Sequence, residues 1–282
     1  MAAVLGVRWA LRSDYQVVSE KAGFLRPRKR FGQHFLHDVG AIQGIVDSLA
    51  LSTNDVLVEI GPGRGALTDQ LVRCSNPLHL IEIDRDLVPY LSSRYKDHVH
   101  VVIHERDALQ LTLDDIRPDQ RKVLVGNLPY NISTPLLIHL LSQHEQIERM
   151  IFMVQKEVGE RLAAQPGTKN YGRLTVMMSR LFETTSLFDV GPEAFNPPPK
   201  VWSSVLAFRP RQTPLGPEVN EQDFEALVRQ AFAQRRKTLR NTLKGRCSEA
   251  VIREAGIDPG ARPETLSPGD FARLCALLPK ED

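Results

Sequence analysis

Five short, almost uninterrupted apolar runs, at 55–60, 78–83, 99–104, 122–126 and 150–154, interleave with stretches of helical periodicity at 40–51, 66–73, 87–95 and 134–142. A strand with one wetted face alternates polar and apolar residues, so runs this uniform predict strands buried on both faces. Their interleaving with helices predicts an α/β fold, a mostly parallel, doubly wound, Rossmann-like sheet covered by helices on both sides. Such sheets bind ligands beyond the carboxyl ends of their strands, so the residues that follow each run are the candidates for chemistry.

Past these runs, 155–164 and 171–181 have helical spacing, and the stiff extended segment Asn196-Pro197-Pro198-Pro199-Lys200 feeds a last strand at 201–208. Composition then changes. Segment 209–217 carries three prolines and a glycine, and 221–243, 248–255 and 267–278 read as helices, the last capped by Ser267. Residues 27–209 therefore form the sheet domain, 210–282 a small all-helical domain, and 1–26 an N-terminal extension. Its Asp14 and Glu20 fit an organellar leader poorly.

Charge enters through its distribution. The 282 residues carry 36 Lys and Arg against 34 Asp and Glu, which says little, but the cations cluster at Arg26, Arg28, Lys29, Arg30 and again at Arg235, Arg236, Lys237, Arg240, Lys244, Arg246. Paired basic clusters suit a nucleic acid partner, whose phosphates supply most of the affinity. Cys74, Cys247 and Cys275 are odd in number and widely spaced, against both a disulfide framework and a zinc site. With no run long enough to cross a bilayer, a reducing, cytoplasmic location is expected.

Between the first strand and its helix lies Glu59-Ile60-Gly61-Pro62-Gly63-Arg64-Gly65. A dinucleotide site requires Gly-x-Gly-x-x-Gly, with a helix N-terminus on the pyrophosphate. Here the spacing differs and an acid precedes the first glycine, which repels a phosphate and suits an amine-bearing cation such as S-adenosylmethionine. Glu82, ending the second strand, is placed to accept from both ribose hydroxyls, and Asp107, followed by Ala108, from the adenine amine. The alternatives are a surface carboxylate for Glu59, a helix cap for Asp107, and a solvated turn for Asp84. After the fourth strand comes Asn127-Leu128-Pro129-Tyr130, with a side-chain acceptor, a carbonyl ahead of proline, and a ring for stacking. Those groups suit a splayed-out base with an exocyclic amine, although the same residues also make an ordinary turn.

Taken together, Phe31-Gly32-Gln33-His34-Phe35-Leu36, the glycine motif, Ile81-Glu82-Ile83-Asp84, the segment from Asn127 to Thr134, Phe195-Asn196-Pro197-Pro198-Pro199-Lys200-Val201 and the segment from Gln234 to Asn241 resemble the ribosomal RNA small-subunit adenine dimethyltransferases. The resemblance runs from about residue 28 to the C-terminus. It implies a class I methyltransferase sheet, a helical C-terminal domain, S-adenosylmethionine as donor, and dimethylation of two adjacent adenosines in a hairpin near the 3′ end of 16S rRNA. The immature small ribosomal subunit is the implied partner, and a monomer the implied state. By position it sets the cofactor against His34, Leu36, Gly61, Glu82, Asp107 and Asn127; Glu59, Gly63 and Ala108 complete the set read from the residues. His34 departs from the family's more usual asparagine. His34, His37 and Asp38 lack a further ligand, and no metal is expected.

The expected mechanism has Asn127 and the Leu128 carbonyl accept the two amine hydrogens, Pro129 hold that geometry, and Tyr130 stack on the base. Phe195 covers the other face, or else is a core residue. Arg235, Arg236, Lys237 and Arg240 contact rRNA phosphates. Two rivals remain: a DNA adenine methyltransferase, which needs a larger recognition domain, and a non-catalytic assembly factor, which has no use for Glu59, Glu82, Asp107 and Asn127.

Overall fold

A computed structural model describes residues 33–234 and 236–279. The extension 1–26, the basic cluster at Arg26 to Arg30, and Arg235 lie outside the described residues. The strands are β1 (Phe35–Leu36), β2 (Val56–Ile60), β3 (Leu78–Glu82), β4 (Val101–Glu105), β5 (Lys122–Asn127), β6 (Ile147–Gln155), β7 (Phe182–Val190), β8 (Phe195–Asn196) and β9 (Ser203–Pro210). The helices are α1 (Val39–Ser48), α2 (Thr68–Leu71), α3 (Leu87–Arg94), α4 (Ser133–Leu141), α5 (Lys156–Leu162), α6 (Arg173–Leu181), α7 (Glu221–Ala231), α8 (Leu239–Thr242), α9 (Glu249–Glu254) and α10 (Pro268–Ala276).

Seven strands form one sheet in the order β4-β3-β2-β5-β6-β9-β7. The first five are parallel, while β9 runs antiparallel to both of its neighbours. Burial on both faces explains the uniform runs of β2, β3, β5 and β6, whereas the run at 99–104 was misread: β4 lies at the sheet edge, half-buried, with Val99 and Val102 exposed. Val56, Val58 and Ile60 of β2 pack into one cluster with α4 and α6, whereas Leu57 enters a second with α1 and Leu71 of α2. A two-stranded ribbon, β1 against β8, pairs Leu36 with Phe195 and lies apart from this sheet.

Strand β7 was not anticipated, because as an edge strand interrupted by an irregularity between Ser186 and Phe188 its apolar positions follow no clean alternation. The helix expected over 221–243 stops at Phe232. The chain then turns, and the Leu239 and Arg240 amides bond to the Ala261 and Pro259 carbonyls, so Arg236 and Lys237 sit on a connection instead of a helical turn.

The C-terminal helices build onto the sheet domain. Phe224, Leu227, Val228 and Phe271 share one cluster with Met178, Leu181 and Phe182. Arg180, fully buried, is fixed there by Glu221, by the Pro217 carbonyl at 3.1 Å and by the Phe224 ring 4.8 Å away.

Candidate active site

Because β2, β3, β4 and β5 are parallel, their carboxyl ends open on one edge of the sheet, and a cleft of about 270 Å³ lies there. The strand ends deliver Glu59, Glu82, Asp107 and Asn127 to it, and β1 brings His34 and Leu36 from across the top. Gly61 and Gly63 take positive φ of 68° and 57°, which L side chains rarely adopt and which lets the backbone curl beneath the cleft. Gly126 has a different reason: a Cβ there would stand 2.5 Å from the Ile60 carbonyl oxygen, so glycine lets β5 lie close to the end of β2.

The acids are held, and held differently. Glu59 is 1% exposed and accepts the Thr68 hydroxyl at 2.6 Å. Burial, aided by the charges of Asp69 and Glu82 and only partly offset by Thr68, pushes its carboxyl up to about 8. At neutral pH it holds a proton that a nearby cation would displace. Glu82 accepts the Asp84 amide at 2.9 Å and the Gly63 amide at 3.2 Å, and burial raises it above the usual carboxylate range. Asp84 is not the solvated turn residue that the sequence suggested. At 3% exposure it accepts the Gln33 side-chain amide at 3.1 Å and supports the turn that bonds Glu82. Asp107 accepts the Leu109 amide at 2.9 Å, so it caps a short turn while lining the cleft beside buried Ala108.

On the other side, Asn127 ends β5. Its Nδ2 donates to the His34 carbonyl at 3.0 Å, which leaves Oδ1 as the free end of the amide. The Leu128 amide donates to the Met153 carbonyl at 3.0 Å, and the Pro129 carbonyl accepts the Ile132 and Ser133 amides as α4 begins. The Tyr130 hydroxyl is bonded to the Ser203 hydroxyl at 2.9 Å, and its ring stacks on His34 with centroids 5.5 Å apart.

Phe195 does not reach this site. Only 2% exposed, it packs with Leu36, Val190 and Ala194, because pairing with β1 turns its ring into the core. Arg236, Lys237 and Arg240 are exposed and line no part of the cleft. The sequence reading missed Ser203 and Gln33, each remote in sequence from the residue it holds, and Arg64, whose guanidinium lies 4.4 Å above the Phe35 ring. Among the described residues no group of three His, Cys, Asp or Glu is arranged to hold a metal, and no helix is long and apolar enough to cross a membrane.

A family model described as ribosomal RNA adenine dimethylase matches residues 25–280. A protein of Methylococcus capsulatus named ribosomal RNA small subunit methyltransferase A is 51% identical over 252 residues, covering 89% of this chain and 98% of the relative. One of the same name from Alcanivorax borkumensis is 48% identical over 253 residues, 89% and 90% of the two chains. The fold is similar to a dimethyladenosine transferase from Plasmodium falciparum, with TM-score 0.74 and 26% identity over 86% of this chain and 96% of that one. It is also similar to the 23S rRNA methyltransferase ErmE, with TM-score 0.66 and 27% identity over 86% and 99%.

Proposed function

Since the chain belongs to the ribosomal RNA adenine dimethylase family, we propose that it converts two adjacent adenosines in a hairpin near the 3′ end of 16S rRNA to N6,N6-dimethyladenosine. The fold is a Rossmann-like class I methyltransferase sheet, and the enzyme is an S-adenosylmethionine-dependent rRNA adenine dimethyltransferase. Its substrate is rRNA within the immature small subunit, and it works as a cytoplasmic monomer. Helical segment 210–282, with Arg236, Lys237 and Arg240 exposed, holds RNA phosphates.

The chemistry of the cleft lining supports this donor. Glu82 would accept from the ribose hydroxyls, Asp107 from the adenine amine, and buried Glu59 would balance positive charge, while the curled backbone at Gly61 and Gly63 permits close approach. Leu36 and Ala108 supply apolar wall. When bound, S-adenosylmethionine supplies an electrophilic methyl group on a sulfonium.

The target amine is a weak nucleophile because its lone pair is delocalised into the purine. Asn127 Oδ1 and the Leu128 carbonyl accept its two hydrogens, which favours a pyramidal nitrogen with the lone pair directed outward. Tyr130 stacks on the base and fixes its plane. No strong base is required, since orientation and hydrogen bonding to the charge developing on nitrogen lower the barrier. The observation that carries this reading is the Asn127 amide, whose Nδ2 is tied to the His34 carbonyl so that Oδ1 is left for the amine. Methyl-labelled S-adenosylmethionine offered with immature small subunits, naked rRNA or duplex DNA tests it. Label is expected on adenines of the subunit rRNA; label on DNA, or on nothing, overturns the reading.

A further inference from the structure

Three contacts converge on His34, one from each part of the acceptor side. Its backbone carbonyl accepts Asn127 Nδ2 at 3.0 Å. Its ring Nδ1 donates to the Pro197 carbonyl, which can only accept, at 2.7 Å. Its ring stacks on Tyr130 at 5.5 Å between centroids and 29° between planes. Tyr130 is anchored at its far end by Ser203, so its ring is fixed in position and covered on one side.

An aromatic ring has two faces, and one of Tyr130's is already occupied. We propose that His34 is a positioning residue for the acceptor adenine: it closes one face of Tyr130, so that a single base stacks on the other face, in line with the Asn127 amide that the same residue orients. This rests on the reading of Tyr130 as the platform for the target base. Two neighbouring adenines then cannot sandwich the ring, and each must enter in its own turn. The two functions of His34 are separable, because the bond to Asn127 comes from the backbone and survives any side-chain substitution, whereas the stack and the tie to Pro197 belong to the imidazole.

The test compares His34→Ala with His34→Phe, which restores a ring without the Nδ1 donor. For each, kcat and KM for methyl transfer to immature small subunits are measured at saturating donor, together with donor Kd by calorimetry and the melting temperature. His34→Ala is expected to lower kcat at saturating donor about tenfold, the scale of a small misplacement of reacting groups, with subunit KM within about twofold of wild type. His34→Phe is expected to recover kcat to within about threefold. Wild-type kcat in His34→Ala at saturating donor overturns the proposal, as does a loss expressed only as a raised subunit KM, or a His34→Phe protein that melts normally but is no faster than the alanine variant. Failure of the wild type itself to methylate these particles would instead overturn the functional reading, so the two failures are distinguishable.

Discussion

The two halves of the cleft are built by different means. On the side proposed for the donor, Glu59, Glu82 and Asp107 stand at or just beyond parallel strand ends, and the bonds to their carboxylates span at most 19 positions: Thr68 for Glu59, the amides of Gly63 and Asp84 for Glu82, and the Leu109 amide for Asp107. On the acceptor side the ties are long. Asn127 is bonded to a residue 93 positions away, Tyr130 to one 73 positions away, and the His34 ring to one 163 positions away. This half thus rests mainly on adjacent parallel strands and the turns that follow them, with one long tie, from Gln33 to Asp84. The acceptor half exists only once the ribbon, β5 and β9 have all closed on one another.

Substitutions can break that contrast from either side. Asn127→Ala should have the largest effect, lowering methyl transfer by about a hundredfold or more while RNA binding stays nearly intact, because it removes an acceptor aimed at the reacting amine. A variant that still dimethylates at close to the normal rate would refute the acceptor-side assignment. Glu82→Ala should weaken donor binding by about tenfold to a hundredfold in calorimetry, through loss of the ribose acceptor and of the turn it braces. Unchanged affinity would place the ribose elsewhere.

Glu59 sharpens the donor side further. A folded-state carboxyl raised to about 8 favours the protonated form, so its contribution to stability is full below about pH 4.5 and is lost as pH rises toward 8. Binding a cationic donor displaces that proton, so donor affinity should increase from pH 6 to pH 8. Glu59→Gln should flatten this pH dependence, weaken the donor, and raise the unliganded melting temperature at pH 8. A variant whose donor Kd keeps the wild-type pH slope would exclude Glu59 as the linked group. The smallest effect is expected from neutralising Arg236, Lys237 and Arg240 together. RNA binding should lose about two units of slope against the logarithm of salt concentration, with donor affinity unchanged; an unaltered slope would remove these cations from the interface.

Legibility in the sequence follows the same division. Most of the sheet could be read because β2, β3, β5 and β6 announce themselves by burial on both faces, and the cleft acids because each stands at or just beyond the end of its own strand. Asp84 was misjudged for the opposite reason: its partner Gln33 is far away in the chain, and a polar residue after a strand resembles a solvated turn. Phe195 was expected over the substrate, since a stiff proline run beside an aromatic fits a clamp, but strand pairing with Leu36 decides where its ring points. The break after Phe232 was hidden because 221–243 is helical by composition, and only the backbone bonds to Ala261 and Pro259 draw the chain aside. No local pattern encodes which carbonyl Asn127 will find.

The common core of α6, α7 and α10, pinned through Arg180, has a consequence for substrate choice. Because α7 and α10 share buried side chains with α6, the helical end is packed directly onto the sheet domain, and under the proposed RNA grip its separation from the tip of β5 would serve as a ruler. An RNA whose backbone were gripped at one mark would offer its base at the other only when the intervening fold had the right reach.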